Sequence, residues 1–163
     1  MKRISLAALV LALLPLAGSR VADAHCEVPC GIYADQRRFE QMLEDTATIH
    51  KAMDQIVALA GKTDAPSMNQ LVRWVKTKEE HATNTQHIIA QYFMTQRLKP
   101  SQATYVARLT SAHAVMTAAM KCKQTTDTAN AAALKAAIVK FHGIYEPNAK
   151  VKKAAGGHGH DHK

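Results

Sequence analysis

Apolar residues recur at helical spacing through most of this chain. Between Asp35 and Gly61 they stand at Phe39, Met42, Leu43, Ile49, Met53, Ile56, Val57 and Ala60, with Thr46 completing the row. Steps of three and four residues are the mark of one buried helix face. Asp35 offers an N-cap for this first helix, and Gly61 a C-terminal stop. Asp64-Ala65-Pro66-Ser67 opens a second helix over about 67–96. Its stripe is Leu71, Val72, Trp74, Val75, Ala82, Ile88, Ile89, Tyr92 and Phe93. Lys99-Pro100-Ser101 breaks the chain and caps a third helix over 102–123, which turns Tyr105, Val106, Leu109, Val115, Met116, Ala119 and Met120 inward. After the turn 125–127, a fourth helix over 128–145 carries Leu134, Ala137, Ile138, Phe141, Ile144 and Tyr145, and Pro147 ends it. No segment alternates with period two. Four amphipathic helices on short connections predict an all-α, up-down-up-down four-helix bundle over residues 35–146.

The chain flanking that bundle reads differently. Lys2-Arg3 precedes the apolar run Ile4–Leu16, and Ala22 and Ala24 form an A-x-A cleavage site. The run has the length of a signal-peptide core and is too short to span a bilayer. Residues 1–24 are therefore expected to be a leader removed by signal peptidase. That implies export to a periplasm or the outside, with no stable membrane anchor. Removal takes Lys2, Arg3, Arg20 and Asp23 with it, so the charge falls from 21 basic against 13 acidic residues to 18 against 12, or +6. It also makes His25 the first residue, with Cys26 next. At the other end, residues 147–163 are rich in Lys, Ala, Gly and His and are expected to be disordered.

Composition narrows the function. The 163 residues suit one domain, and three cysteines are too few for a disulfide scaffold. The positive charge is spread along the helices without interleaved aromatics, which argues against nucleic acid as a partner. A di-metal carboxylate bundle needs Glu three residues before His. The residues three before His50, His81, His87, His113 and His142 are Ala47, Lys78, Asn84, Thr110 and Val139. Cys-x-x-Cys-His, His-Glu-x-x-His, GxGxxG and Gly-x-Ser-x-Gly do not occur. The helical histidines are therefore read as surface or packing residues, the methionines as core, and Cys122 as a buried, inert thiol.

The chemistry concentrates in residues 25–34, an irregular segment that begins His25-Cys26-Glu27-Val28-Pro29-Cys30-Gly31-Ile32-Tyr33. Two thiolates four residues apart can converge on one ion if Pro29 and Gly31 turn the chain between them. His25 adds an α-amine and an imidazole, and the Cys26 amide lies between the donors. Amine, amide and two thiolates make an N/S plane with the imidazole as an axial fifth ligand. Such geometry suits Ni(II) or Cu(II), whereas zinc favours a tetrahedron. In an oxidising compartment the same two cysteines can instead close a disulfide. Residues alone leave both readings open.

His-Cys-x-x-Pro-Cys-Gly-x-Tyr at a mature N-terminus resembles the nickel hook of the nickel superoxide dismutases, and Gln91-Tyr92-Phe93 resembles that family's second tyrosine segment. The resemblance implies disproportionation of superoxide to oxygen and hydrogen peroxide by Ni(II)/Ni(III) cycling, with one nickel ion per chain. It implies His25, Cys26 and Cys30 as metal ligands and Tyr33 and Tyr92 flanking the open face. It also implies a homohexamer. A carboxylate commonly orients a ligand imidazole, and Glu40 is the expected one here, with Glu44 in reserve. The family's basic residue in the second helix falls near Thr77 and Lys78 and is not assigned. Where some members carry Lys after the second tyrosine segment, this chain has Met94. The tail residues His158, His160 and His162 are an addition that can bind metal loosely. The rival reading is a non-catalytic periplasmic protein that binds or delivers nickel or copper; such a protein needs no tyrosines beside an open metal face.

Overall fold

The computed structural model describes residues 32–147, so the expected leader 1–24, the segment 25–31 and residues 148–163 lie outside the described residues. Four helices follow one another: α1 (Asp35–Leu59), α2 (Ala65–His87), α3 (Tyr105–Gln124) and α4 (Thr128–Tyr145). A π-helix, Ile88–Arg97, continues α2 without a break. α1 packs on α2 and α4, and α3 packs on the same two. The described residues contain no strand. The architecture is the up-down-up-down bundle that the apolar periodicity requires.

Local chemistry sets most of the helix ends. Asp64 caps α2 by accepting the Ser67 amide at 2.9 Å, with Pro66 in the first turn. Asp127 caps α4 by accepting the Ala129 amide at 2.9 Å. Gly61 takes φ +83° after α1, a left-handed conformation that suits glycine. Asp35 departs from expectation. It is the first residue of α1, while the cap position falls to Ala34, which makes no side-chain bond. Its carboxylate is engaged elsewhere, as described below. Ser101 likewise does not cap α3, which starts later, at Tyr105 after Thr104.

The core is contiguous but not central along the helix axes. Buried side chains of α1 stop at Met53, and those of α2 begin at Lys78. Lys78 fixes where the four-helix body ends. Its ammonium donates to the carbonyls of Cys122 (3.0 Å) and Lys123 (2.5 Å) in the last turn of α3, and to Glu79 at 2.8 Å. Residues 65–77 of α2 therefore run beyond α3 by roughly 20 Å at 1.5 Å per residue. With the end of α1 they form a two-helix arm. This overhang explains why Val57, Val72 and Val75, expected to face inward, are exposed, Val72 by 65%. No third or fourth helix reaches them. Val106 and Met120 of α3, also expected inward, are exposed as well, because the inward face of α3 is Ser111, Ala112, Val115, Ala119 and Cys122.

Candidate functional site

The opposite end of the bundle is aromatic. Phe39, Phe93 and Phe141, the three phenylalanines of the chain, pack there with ring centroids 4.8–5.3 Å apart. Tyr145 lies 5.2 Å from Phe93, and Tyr92 lies edge-on to it at 5.1 Å. These rings form a stiff wall, and the two buried phenols hold their hydroxyls at its edge.

Both hydroxyls meet Asp35. The Tyr92 hydroxyl is 2.5 Å from Asp35 Oδ1 and 3.0 Å from the carbonyl oxygen of Tyr33. It has one proton to share, and the carboxylate, the charged and nearer acceptor, takes most of it. The Tyr145 hydroxyl donates to Asp35 Oδ2 at 2.8 Å. Arg97 closes the group from above. Its Nη2 donates to the Tyr92 hydroxyl at 2.8 Å and to the Tyr33 carbonyl at 3.4 Å. Its Nε stands 3.1 Å from Asp35 Oδ1, an ion pair out of line for a hydrogen bond. The guanidinium also lies 4.9 Å from the Tyr92 ring centre.

The electrostatics follow from that packing. Burial first, then the hydrogen bond to Asp35, hold the Tyr92 phenol above its ordinary range. The same two causes act more strongly on Tyr145. The hydrogen bond it donates to the Tyr92 hydroxyl, and the nearby Asp35 charge, hold Arg97 more firmly protonated. Both phenols are therefore neutral donors at working pH.

The π-helix makes the Tyr92–Arg97 contact possible. In an α-helix, five residues advance the chain almost one and a half turns, which points the two side chains apart. An i→i+5 register closes a turn over that spacing. The Thr95 hydroxyl donating to the Ala90 carbonyl and the Leu98 amide donating to the Phe93 carbonyl show the same five-residue step.

Of the residues singled out from sequence, Tyr33 and Tyr92 are brought together, although 59 positions apart. They meet through the Tyr33 backbone; the Tyr33 ring is half-exposed beneath the Arg38 guanidinium, 4.7 Å from its centre. Glu40 lies one turn into α1, partly buried, and accepts from Gln36 Nε2 at 3.2 Å. His25, Cys26 and Cys30 lie outside the described residues. Asp35, Arg97 and Tyr145 were not recognised from sequence as members of the group. Tyr145 was legible as a core position, whereas no spacing rule for an α-helix pairs Tyr92 with Arg97.

Other titratable groups lie within the bundle, away from this cluster or packed behind it. Asp45 is buried and receives His81 Nδ1 and Asn84 Nδ2, each at 2.7 Å; burial raises its pKa against those bonds. His142 packs 4.3 Å from Phe39, and His50 pairs with Asp54. Lys78 serves the far end of α3, away from Tyr92. Cys122 is fully buried, and burial pushes its thiol up to about 11. Among the described residues no group of three or more His, Cys, Asp or Glu is placed to hold a metal. The N/S donors of residues 25–30 suit a soft-to-borderline divalent ion such as nickel.

Compared with known proteins, the chain matches one family model, nickel-containing superoxide dismutase, over residues 20–150. Neither the curated proteins nor the solved structures give a match. The matched span covers well over half of the chain and includes the whole helical bundle. The chain belongs to the nickel-containing superoxide dismutases, oxidoreductases that take superoxide as substrate and nickel as cofactor.

Proposed function

We propose that this chain is an exported superoxide dismutase whose nickel is held by residues 25–30 and served by the Tyr92 end of the bundle. His25 supplies amine and imidazole nitrogens, Cys26 its amide nitrogen and thiolate, and Cys30 the second thiolate. When bound there, nickel supplies one-electron cycling between Ni(II) and Ni(III), a couple that anionic sulfur and amidate donors bring into reach of superoxide. The balance is two superoxide anions and two protons in, one oxygen and one hydrogen peroxide out.

The chain's own residues do the rest. Tyr33 and Tyr92 narrow access to a small anion and order water at the open face. Arg97 places a positive charge beside Tyr92, a role that Met94 cannot fill. Glu40 orients the His25 imidazole. Removal of residues 1–24 by signal peptidase frees the His25 amine, and the protein acts as a homohexamer in the periplasm or outside the cell.

The observation that carries this reading is the contact between the Tyr92 hydroxyl and the Tyr33 carbonyl. It ties the two tyrosine segments to one end of the bundle. Cys30 precedes Tyr33 by three residues, so covalent geometry alone keeps their Cα atoms within about 11 Å.

The test uses chain made to begin at His25, loaded with nickel under reducing conditions, beside a version that keeps Ala24. The expected result is one nickel per chain, with superoxide disproportionation only in the His25 form, because Ala24 turns the amine into a peptide bond. Nickel bound without activity favours storage or delivery instead. No nickel, with Cys26 and Cys30 joined as a disulfide after reduction and reloading, defeats the hook. Glu40→Gln is expected to lower activity with nickel content unchanged.

A further inference from the structure

Asp35 meets both buried phenols and the Arg97 guanidinium at the Tyr92 end. It lies two residues after Tyr33, at the first turn of α1, where the helix dipole favours a negative charge. Its two oxygens are divided between two phenols, Tyr92 on Oδ1 and Tyr145 on Oδ2. Hydroxyl-to-carboxylate bonds of 2.5 and 2.8 Å are charge-assisted and directional. The third group is the Arg97 guanidinium, which faces Oδ1 while it also reaches the Tyr33 carbonyl. A further cation, Arg108, stacks 4.8 Å from the Tyr145 ring centre and donates to the Tyr145 carbonyl at 2.9 Å, so it braces Tyr145 from α3.

We propose that Asp35 is the positioning residue of this site, acting through Tyr92 and Arg97 to fix the point where the metal-binding N-terminal segment joins the bundle. This rests on the reading above, in which Tyr92 stands beside that segment. The proton inventory makes the role specific. Tyr92 has one hydroxyl proton, and Asp35 and the Tyr33 carbonyl are its acceptors. One lone pair of that oxygen accepts from Arg97 Nη2, which leaves the other to accept from water. The phenol is thus a structural donor to the chain and not a source of protons for the substrate. Asp35 also sets the charge that Arg97 presents. The carboxylate pairs with the guanidinium and holds it down on Tyr92; without it, only the bonds to the Tyr92 hydroxyl and the Tyr33 carbonyl remain.

Asparagine at this position tests the idea with little change of shape. Its oxygen replaces only one of the two carboxylate oxygens, so one phenol loses its acceptor and both lose the negative charge. The nickel-loaded chain beginning at His25 is compared with Asp35→Asn, Asp35→Glu, Tyr92→Phe and the double variant Asp35→Asn/Tyr92→Phe. Circular dichroism and nickel content establish that each is folded and loaded. Asp35→Asn is expected to keep its nickel yet lose activity by about tenfold, the scale of one charge-assisted hydrogen bond. Asp35→Glu keeps the charge and both acceptors and is expected to recover most of it. In the Tyr92→Phe background, Asp35→Asn is expected to cost clearly less than in the parent, because only the Arg97 contact is left to lose.

A second readout does not depend on activity. Alkaline titration of tyrosine absorbance is expected to show two phenols ionising at lower pH in Asp35→Asn than in the parent. An unchanged titration, or a tenfold loss that persists in the Tyr92→Phe background, overturns the proposal. So does an Asp35→Glu variant no better than Asp35→Asn. Failure of the metal-site reading looks different: the nickel-loaded parent is inactive or Tyr92→Phe is silent, while the titration still reports whether Asp35 holds the two phenols.

Discussion

The two ends of this bundle are built to opposite rules. At the Asp35 end, three phenylalanines and two buried tyrosines pack from three helices, and each buried hydroxyl has a charged partner. At the Gly61 end, α1 and α2 run on as a pair with no buried side chain between Met53 and Lys78, and valines face solvent. Helix periodicity is similar at both ends. What differs is the number of helices present to cover the apolar face. Burial, rigidity and the polar group that depends on rigidity go together at one end only.

The largest effect should come from cutting into the aromatic wall. Phe93→Ala removes a ring that touches Phe39, Tyr92, Phe141 and Tyr145. It is expected to cost about 3–5 kcal/mol in urea unfolding. Activity should fall with it, since Tyr92 loses its backing. A cost near that of a surface substitution would mean the wall is not what stabilises this end.

A pH experiment probes the boundary between body and arm, where Cys122 is buried beside Lys78. The folded thiol titrates at about 11 against 9.0 in the unfolded chain. A raised folded value favours the protonated form in the native state. Its contribution is therefore complete below pH 9 and is lost as pH rises toward 11. Unfolding free energy should fall over that window by up to roughly 2–3 kcal/mol more than in Cys122→Ala, at 1.36 kcal/mol per pH unit. Equal slopes in the two proteins would place the thiol in contact with water.

The smallest effect belongs to the arm. Val72→Ser is expected to change stability by less than about 0.5 kcal/mol, as at ordinary surface positions. A loss above 2 kcal/mol in the intact protein, with none after dilution to monomer, would show that a second chain covers the arm.

How much of this could be read from sequence depends on the rule involved. The helices were legible because apolar spacing, the Asp64 and Asp127 caps and the Gly61 stop are local signals. The overhang was not, because a stripe on one helix does not tell whether its neighbours are long enough to meet it. Asp35 was read as a cap since Asp before a helix usually is one; tertiary partners claimed its carboxylate instead. Arg97 was missed because the i→i+5 register is set by packing and has no residue pattern of its own. The proposed metal-ligand motif has the opposite character: it stands out in sequence and lies outside the described residues.

The buried thiol near the arm has a consequence for the lifetime of the enzyme. Each turnover of a superoxide dismutase releases hydrogen peroxide, which attacks thiolates and spares thiols. Cys122 is sealed from solvent, and burial pushes its thiol up to about 11, so it keeps its proton. The bundle therefore exposes no sulfur anion of its own to the oxidant. If Cys26 and Cys30 are the nickel thiolates, as proposed above, damage from the product should fall first on them, and peroxide would end activity before it unfolds the scaffold.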